Sequence, residues 1–358
     1  MFLRVQAGYS LMQSCVRNHD WKEAYKAGAE TIDHLSLFRP FSLQNTDIQL
    51  EARKLLGLGT ETASVALEVG MSAATALQSL ELARGVMASH INPGFKDFSR
   101  PEDEERMRSA AALSPVIVVN VGPLTCDAII IQQDGFSVTP FHKLNQSDID
   151  SKYRSLGRGS LQVLEWLWDA VAEPILNALG FNEVPRDGEM QRVWWVLTGS
   201  LSTIPIHAAG RHSQRNGETA MDRIMSSYAT SVSAIVQSRR TAPVSENEAL
   251  LVSAGETPGH RKLAFADREV SVLRDLCRQM KLKLIEPEAL KEDVLSHLRK
   301  CKILHSAGHG YNHTADPSKS QLYLKDWQTE PLTVANLLEL SLHLEGPFLA
   351  YLSACGTG

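Results

Sequence analysis

The fold is decided by two stretches, CKILHSAGHG at residues 301–310 and PFLAYLSACGTG at residues 347–358. Each is an apolar run that leads into small residues and glycine, which is the pattern of a buried strand that ends in a turn. The helical pattern over 333–343 lies between them. Because that spacing is long enough for a right-handed crossover, the sequence predicts two adjacent parallel strands with their carboxyl ends at one edge of a sheet.

More strand patterns precede this pair and alternate with helical patterns. Apolar, β-branched runs occupy 114–122, 126–135, 193–210, 247–256 and 282–287. Helical patterns occupy 159–179, 222–237, 266–280, 289–299 and 333–343. The first two runs are separated by Gly-Pro, which indicates a hairpin. The alternation that follows predicts a doubly wound, mainly parallel sheet, whose ligand sites lie at the carboxyl ends of its strands.

The first 90 residues have helical periodicity throughout. Three amphipathic segments contain small residues at Gly28, Ala73 and Ala83, where neighbouring helices approach closely. Their lengths favour tetratricopeptide-like hairpins, with a plain helical bundle as the alternative. The sequence thus predicts a helical region at 1–95, a charged connector at 96–112 and an α/β domain at 113–358.

The composition excludes several classes of protein. The net charge is −5, and 43% of the residues are hydrophobic, so neither nucleic acid nor an anionic membrane surface is a predicted partner. No run of 18 apolar residues occurs, and the N-terminus lacks a signal-peptide pattern. The five cysteines are scattered without a CxxC motif, which favours a reducing compartment and predicts a cytoplasmic protein.

The two strand ends of the opening pair contain His309 and Cys355, each followed by glycine. An imidazole beside a thiol favours the thiolate, which is the nucleophilic form of cysteine. Glycine permits a sharp turn and leaves backbone N–H groups to face a developing oxyanion. The pair therefore predicts a Cys–His nucleophilic site with the two side chains roughly 3–7 Å apart. The more ordinary interpretation is a buried structural cysteine beside an unrelated histidine.

Three other patterns have competing interpretations. His305, His309 and His313 would share one face of a helix and hold zinc, but Gly308, Gly310 and the strand-like residues before them disfavour a helix. The GLGT stretch at 57–60 lacks a third glycine, so helix packing is preferred to nucleotide binding. Four tryptophans are predicted to lie in the core rather than to form a cage around a ligand: Trp166, Trp168, Trp194 and Trp195.

Four segments follow one another between residues 303 and 358: ILHSAGHG, DPSKSQLYLKD, PLTVANLLEL and PFLAYLSACGTG. In this order they resemble the CHAT domain, a caspase-like peptidase domain often found behind tetratricopeptide repeats. The upstream segments GSLSTIPIHAAG, YATSVSAI, LAFADREVSVLRDL and ELARGVMAS also match. The resemblance implies an α + α/β architecture in which a helical-repeat-like region precedes a caspase-like doubly wound sheet.

The resemblance also implies the roles of individual residues. His309 matches the catalytic histidine and Cys355 the nucleophile, while the backbone N–H groups of Gly310 and Cys355 would form the oxyanion hole. Asp316 matches a loop acid to which no role is assigned. His305 is expected to be structural, and the implied mechanism uses neither a cofactor nor a metal.

The resemblance implies a cysteine endopeptidase that acts on protein substrates in a regulated signalling or cell-death pathway. A protein substrate or regulator would bind through the helical region. Family members continue beyond the Ser-Ala-Cys-x-Thr motif, so we expect a C-terminally incomplete sheet that exposes Leu349, Tyr351 and Leu352. The alternative is a non-catalytic interaction scaffold or an inactive fragment. Cys126, Cys277 and Cys301 are expected to be buried and unreactive.

Overall fold

A computed structural model describes most of the chain. The described residues are 2–36, 45–91, 103–155, 160–186, 188–214, 216–239, 247–313, 316–340, 342 and 346–354. They divide into two compact units, the first from residues 1–43 and 50–237, and the second from residues 44–49 and 238–358.

The described N-terminal residues are helical, as their periodicity predicts, but they form four helices rather than three, because residues 2–17 add a helix of their own. The helices are α1 (Phe2–Arg17), α2 (Trp21–Ser36), α3 (Asn45–Glu68) and α4 (Ala73–Ile91). Small residues lie at the helix contacts: a Cβ added to Gly59 would lie 2.5 Å from the Cβ of Ala83. Because the GLGT stretch is part of α3, its predicted role in helix packing is confirmed. The likeness to tetratricopeptide repeats remains a prediction.

The first unit also contains a sheet with the strand order β3-β2-β1-β4-β5 in its described part. Its strands are β1 (Val116–Val121), β2 (Cys126–Gln132), β3 (Gly135–Pro140), β4 (Gln191–Leu197) and β5 (Ile224–Tyr228). The β1–β2 pair is antiparallel, which confirms the predicted hairpin, and β4 is parallel to both β1 and β5. Strand β3 was not predicted.

The predicted helix over 222–237 is wrong in its first half. The chain forms a short helix, α9 (Ala220–Arg223), then β5, and only then the helix α10 (Val232–Ser238). Strand β5 pairs with β4 along its whole length, and the hydroxyl of Ser226 accepts a hydrogen bond from Trp195 Nε1 at 3.1 Å. This pairing outweighs a weak local helix preference, as tertiary context commonly does.

The remaining helices of this unit lie before and between the strands. They are α5 (Glu104–Ser109), α6 (Gln146–Ser155), α7 (Ser160–Leu167) and α8 (Glu173–Ala178). A π-helical segment, Trp168–Ala172, joins α7 to α8. Pro174, which follows it, has no N–H to continue the α-helical ladder, so the predicted helix over 159–179 is present with this interruption.

Helices and sheet share a hydrophobic core in the first unit. Residues of α3 and α4, including Ala66 and Leu77, pack with Val118 of β1 and Ile129 of β2 on one face. The other face packs against a second cluster that contains Trp168 and Trp195, both 0% exposed. The partly buried ring of Trp166 packs against the cluster that contains Trp168, and that of Trp194 packs against the cluster that contains Val118. The prediction that these tryptophans belong to the core is confirmed, and the predicted boundaries at 95 and 113 remain a prediction.

The second unit contains the sheet that the opening stretches predict. Its described strands are β6 (Glu248–Ala254), β7 (Lys283–Ile285), β8 (Ile303–Tyr311), β9 (Gln321–Tyr323), β10 (Leu332–Thr333) and β11 (Leu349–Ser353). The order is β10-β9-β8-β6-β7, and β11 also pairs with β8. Strands β6, β7, β8 and β11 are parallel, whereas β9 runs antiparallel to β8 and β10.

Helices cover both faces of this second sheet. They are α11 (Ala266–Gln279), α12 (Lys291–Leu298) and α13 (Val334–Glu339). Leu251 and Ala307 pack with Val270 of α11, whereas Leu250 and Leu304 pack with α12 on the other side. Both faces of β6 and of the first part of β8 are therefore buried, which explains their continuous apolar runs.

None of the helices in the described ranges combines the length and the apolar character that a bilayer crossing requires.

Candidate active site

His309 lies near the carboxyl end of β8, on the sheet face that packs against α11. Side chains alternate along a strand, and Ala307 packs with that helix, so His309 lies on the same face. His309 Nε2 is 2.7 Å from the backbone carbonyl oxygen of Arg261. Because a carbonyl only accepts, Nε2 carries the hydrogen, and in the neutral ring Nδ1 then bears the lone pair.

The Arg261 carbonyl belongs to the loop that joins β6 to α11. The N–H of Leu263 donates to the Gly255 carbonyl at 2.9 Å, which closes this loop. The hydroxyl of Thr257 lies 3.0 Å from the Ala254 carbonyl oxygen and 3.3 Å from the Tyr323 carbonyl oxygen, so its single hydrogen is shared between these two acceptors. These bonds fix the loop against the end of β6 and thus fix the acceptor that orients His309.

Three rings form an aromatic cluster, His260, Tyr323 and Trp327, beside His309. The His260 ring centroid lies 5.1 Å from that of His309, 4.5 Å from that of Tyr323 and 5.1 Å from that of Trp327. Trp327 Nε1 donates to the Pro258 carbonyl at 2.9 Å. Since the cluster is tied to the loop at one side and to β9 at the other, it limits the rotation of the His309 ring.

Gly310 lies inside β8, and the sharp turn predicted after His309 is wrong. The strand continues to Tyr311, with Gly310 opposite Leu322 of β9. Pairing with β9 keeps these residues extended. The oxyanion role of the Gly310 N–H therefore remains a prediction. The preceding Gly308 has a clearer packing role, because an added Cβ would lie 2.9 Å from the Cβ of Ala254.

Cys355 lies outside the described residues, so the predicted distance between its sulfur and His309 remains a prediction. The strand that leads to Cys355 is described as far as Ala354. Strand β11 pairs in parallel with β8, with Ser353 opposite Ala307. The predicted adjacency of the two strands is therefore confirmed.

A cluster of polar side chains, formed by His305, Glu269 and Ser353, lies between α11 and strands β8 and β11. His305 is 1% exposed, and its ring stacks on that of Tyr351 with 5.3 Å between centroids. Glu269 Oε1 is 3.6 Å from His305 Nε2, and Glu269 Oε2 accepts a hydrogen bond from the Ser353 hydroxyl at 3.0 Å. Among the described residues, neither His305 ring nitrogen has a hydrogen-bond partner. His305 is thus packed inside the unit.

The environment of His305 is expected to make the second unit sensitive to acid. Burial lowers the pKa of His305, and the nearby Glu269 carboxylate opposes this effect. The unfolded chain, in which a histidine pKa is about 6.5, therefore binds the proton first as the pH falls. The contribution of neutral His305 to stability is complete above about pH 6.5 and is lost as the pH falls towards its folded-state pKa.

We expect His305→Gln to flatten the dependence of the unit's free energy of unfolding on pH between about 7 and 5. Pulse proteolysis at a series of urea concentrations measures this free energy at each pH, with quantification of the fragments from residues 247–340. His297→Gln, on a partly exposed position of α12, is the matched control and should keep the wild-type slope. An unchanged slope in His305→Gln would contradict this account.

Asp316 has a local structural role. Its carboxylate accepts hydrogen bonds from the hydroxyl and backbone N–H of Ser318 at 2.5 and 3.2 Å, and it lies 3.3 Å from Lys319 Nζ. The Ser318 hydroxyl bond, followed by the effect of Lys319, lowers the pKa of Asp316. The residue thus caps the short 3-10 turn at Pro317–Lys319.

The cysteines predicted to be structural are buried. Cys126, Cys277 and Cys301 are 5%, 4% and 0% exposed. Burial raises the pKa of Cys126 and of Cys301 to about 11, and it also raises the pKa of Cys277. Since the thiolate is the reactive form, these environments disfavour reaction.

The zinc interpretation of His305, His309 and His313 fails on geometry. The first two lie on strand β8, where residues four apart are separated by about 13 Å. His313 Nδ1 accepts a hydrogen bond from the Asp316 N–H at 2.9 Å. Within the described ranges, no three metal-binding side chains come together.

Sequence reasoning missed the Arg261 carbonyl, the aromatic cluster of His260, Tyr323 and Trp327, and the polar residues Glu269 and Ser353. A backbone carbonyl leaves no trace in residue type. Glu269, however, lies on the buried stripe of α11 formed by Ala266, Val270 and Cys277. A carboxylate on such a stripe indicates a specific inward contact.

Comparison with known proteins assigns the chain to a family. No curated protein matches it. The family model of the CHAT domain matches residues 161–358, which is more than half of the chain. The matched range begins at α7 and includes β4, β5 and all described strands of the second unit. Helices followed by this caspase-like α/β arrangement agree with the predicted fold class, and the chain therefore belongs to the CHAT domain family.

Proposed function

We propose that the protein is a cysteine endopeptidase in which His309 and Cys355 form a catalytic dyad. The observation that carries the proposal is the register of β8 and β11. Ser353 lies opposite Ala307 in parallel strands, and Cys355 and His309 each follow two residues later in the chain. Because both residues lie two positions beyond the same paired position, this register favours an approach of the two side chains at the carboxyl edge of the sheet.

The orientation of His309 gives each of its ring nitrogens a distinct task. Nε2–H remains bonded to the Arg261 carbonyl, which leaves Nδ1 to accept the proton of the Cys355 thiol. The thiolate attacks the peptide carbonyl to form a C–S bond, and the N–H groups of Gly310 and Cys355 stabilise the oxyanion. His309 Nδ1–H then protonates the leaving amine as the C–N bond breaks. Water hydrolyses the thioester and restores the thiol.

The family match supports the coarser part of the proposal, a fold related to caspase-like cysteine peptidases. Burial of Cys126, Cys277 and Cys301 supports the choice of nucleophile, because none of the three is poised to form a thiolate. The substrate is a protein, and the proposed reaction uses no cofactor or metal.

The proposal predicts that Cys355→Ala abolishes hydrolysis of a mixed peptide library, with a loss of at least about 1000-fold in kcat/KM. Cys15→Ala, at the partly exposed thiol of α1, is the matched control and should retain wild-type activity. Limited alkylation of the folded chain should label Cys355 before the three buried cysteines. Wild-type protein that hydrolyses no peptide in the library, or equal activity in both variants, would refute the dyad.

A second candidate function is that of a non-catalytic interaction scaffold. Its supporting observation is the exposed apolar surface of β11, where Leu349, Tyr351 and Leu352 are 51%, 58% and 36% exposed, as the sequence predicts. This candidate requires that a partner bind equally well to wild type and to Cys355→Ala, without cleavage.

We also propose that a protein substrate or regulator binds the helical region. Its support is the exposed surface of α1, where Leu11 is 56% exposed. A photo-crosslinking residue at position 11 should then capture that protein, and the same residue at exposed position 183 should not.

A further inference from the structure

Glu269 bridges the two strands that carry the proposed dyad. Its Oε2 accepts the Ser353 hydroxyl of β11 at 3.0 Å, and its Oε1 lies 3.6 Å from His305 Nε2 of β8. Ser353 is two residues before Cys355, and His305 is four residues before His309. One carboxylate on α11 thus contacts both strands immediately before their functional ends.

The bridge is specific to this pair of strands. A second serine–carboxylate bond joins α11 to the sheet, between the Ser253 hydroxyl and Asp267 Oδ1 at 2.6 Å, but it reaches β6. Apolar contacts already hold α11 on β6 and β8, since Val270 packs with Leu251 and Ala307. Leu349 and Tyr351 of β11 are 51% and 58% exposed, and neither belongs to the buried apolar cluster that α11 forms with β6 and β8. The Glu269 contact is therefore its polar tie to the helix.

We propose that Glu269 is the positioning residue of the dyad and that it acts through Ser353. This inference rests on the proposed function of Cys355 and His309. The Glu269 carboxylate holds the β11 backbone at a fixed depth on α11 and thereby sets the position of the nucleophile relative to His309. Misplacement by about 1 Å in a reacting group can lower the rate about 100-fold without loss of the fold.

The Glu269→Met variant, which keeps the length of the side chain but removes both acceptor oxygens, tests the proposal. We expect kcat for peptide hydrolysis to fall by about 10- to 100-fold while KM changes little, since substrate binding is not disturbed. The rate of Cys355 alkylation by iodoacetamide should show its pH midpoint shifted upwards, towards the ordinary thiol value of about 8.5. Ser353→Ala should show both effects. Ser353→Thr, which keeps the hydroxyl, should show neither.

Asp267→Leu is the matched control, because it removes the acceptor of the analogous bond to β6 and should leave the alkylation midpoint at the wild-type value. Protection of the backbone amide hydrogens of β8 and β11 from exchange with solvent shows whether each variant is folded. Wild-type kcat and a wild-type alkylation profile in folded Glu269→Met would overturn the positioning role. If His309→Gln also leaves the profile unchanged, the dyad itself fails. If only His309→Gln shifts it, the dyad stands and the Glu269 inference falls.

Discussion

Replacement of His309 by glutamine is expected to lower kcat/KM for peptide hydrolysis by at least about 1000-fold. Glutamine has no group that accepts a proton near neutral pH, so Cys355 loses its general base. The pH midpoint of Cys355 alkylation should rise to about 8.5, because no imidazolium stabilises the thiolate. Steady-state kinetics and pH-dependent alkylation measure the two effects separately.

The control for this prediction is His297→Gln on α12, which should keep both the wild-type kinetics and the alkylation profile. Activity of His309→Gln within about threefold of wild type would contradict the dyad. A change in KM alone would assign His309 to substrate binding, because loss of the base acts on the chemical step.

The sequence predicted the part of the site that depends on strand patterning. Strands β8 and β11 are long apolar runs that end in small residues, and a single crossover helix separates them. Handedness then leaves few arrangements, so their adjacency followed from residues 301–358 alone. The same reasoning failed for β5, because an edge strand with serines at Ser226 and Ser227 has no strong period to distinguish it from a helix.

The groups around His309 were not predictable in the same way. The acceptor for Nε2 is a backbone carbonyl at Arg261, and its position depends on how the loop closes over β6. The aromatic cluster brings His260 against Tyr323 and Trp327, more than 60 positions later in the chain. Such contacts depend on tertiary geometry, which no local pattern encodes. Only Glu269, on the buried stripe of α11, left a signal in the sequence.

The first unit contains a buried ion pair, Glu81 with Arg84, that connects several of its secondary-structure elements. Glu81 of α4 is 2% exposed and lies 3.4 Å from Arg84 Nη1. Glu81 also accepts hydrogen bonds from the backbone N–H and hydroxyl of Ser233 at 2.9 and 3.0 Å, while Arg84 Nη2 donates to the Leu197 carbonyl at 3.1 Å. The pair thus links α4 with α10 and with the end of β4.

Removal of one partner leaves the other charge buried without compensation. Burial lowers the pKa of Arg84, and the Glu81 carboxylate opposes this effect. We expect Glu81→Leu to lower the free energy of unfolding of the first unit by about 3–5 kcal/mol. The N–H of Ser233 also loses its acceptor. Urea unfolding followed by fluorescence reports on this unit, since it contains five of the six tryptophans: Trp21, Trp166, Trp168, Trp194 and Trp195.

The double variant Glu81→Leu/Arg84→Met separates the lost charge from lost packing. Because replacement of both members of a buried ion pair by apolar residues is often neutral or stabilising, the double variant should regain most of the stability lost in Glu81→Leu. Glu81→Gln, which keeps an acceptor for Ser233 but not the charge, should lie between them. If the double variant is as unstable as Glu81→Leu, the uncompensated Arg84 charge is not the cause. The unmade hydrogen bonds of Ser233, joined in the double variant by that of the Leu197 carbonyl, would then account for the loss, because each buried polar group left unpaired costs about 1–3 kcal/mol.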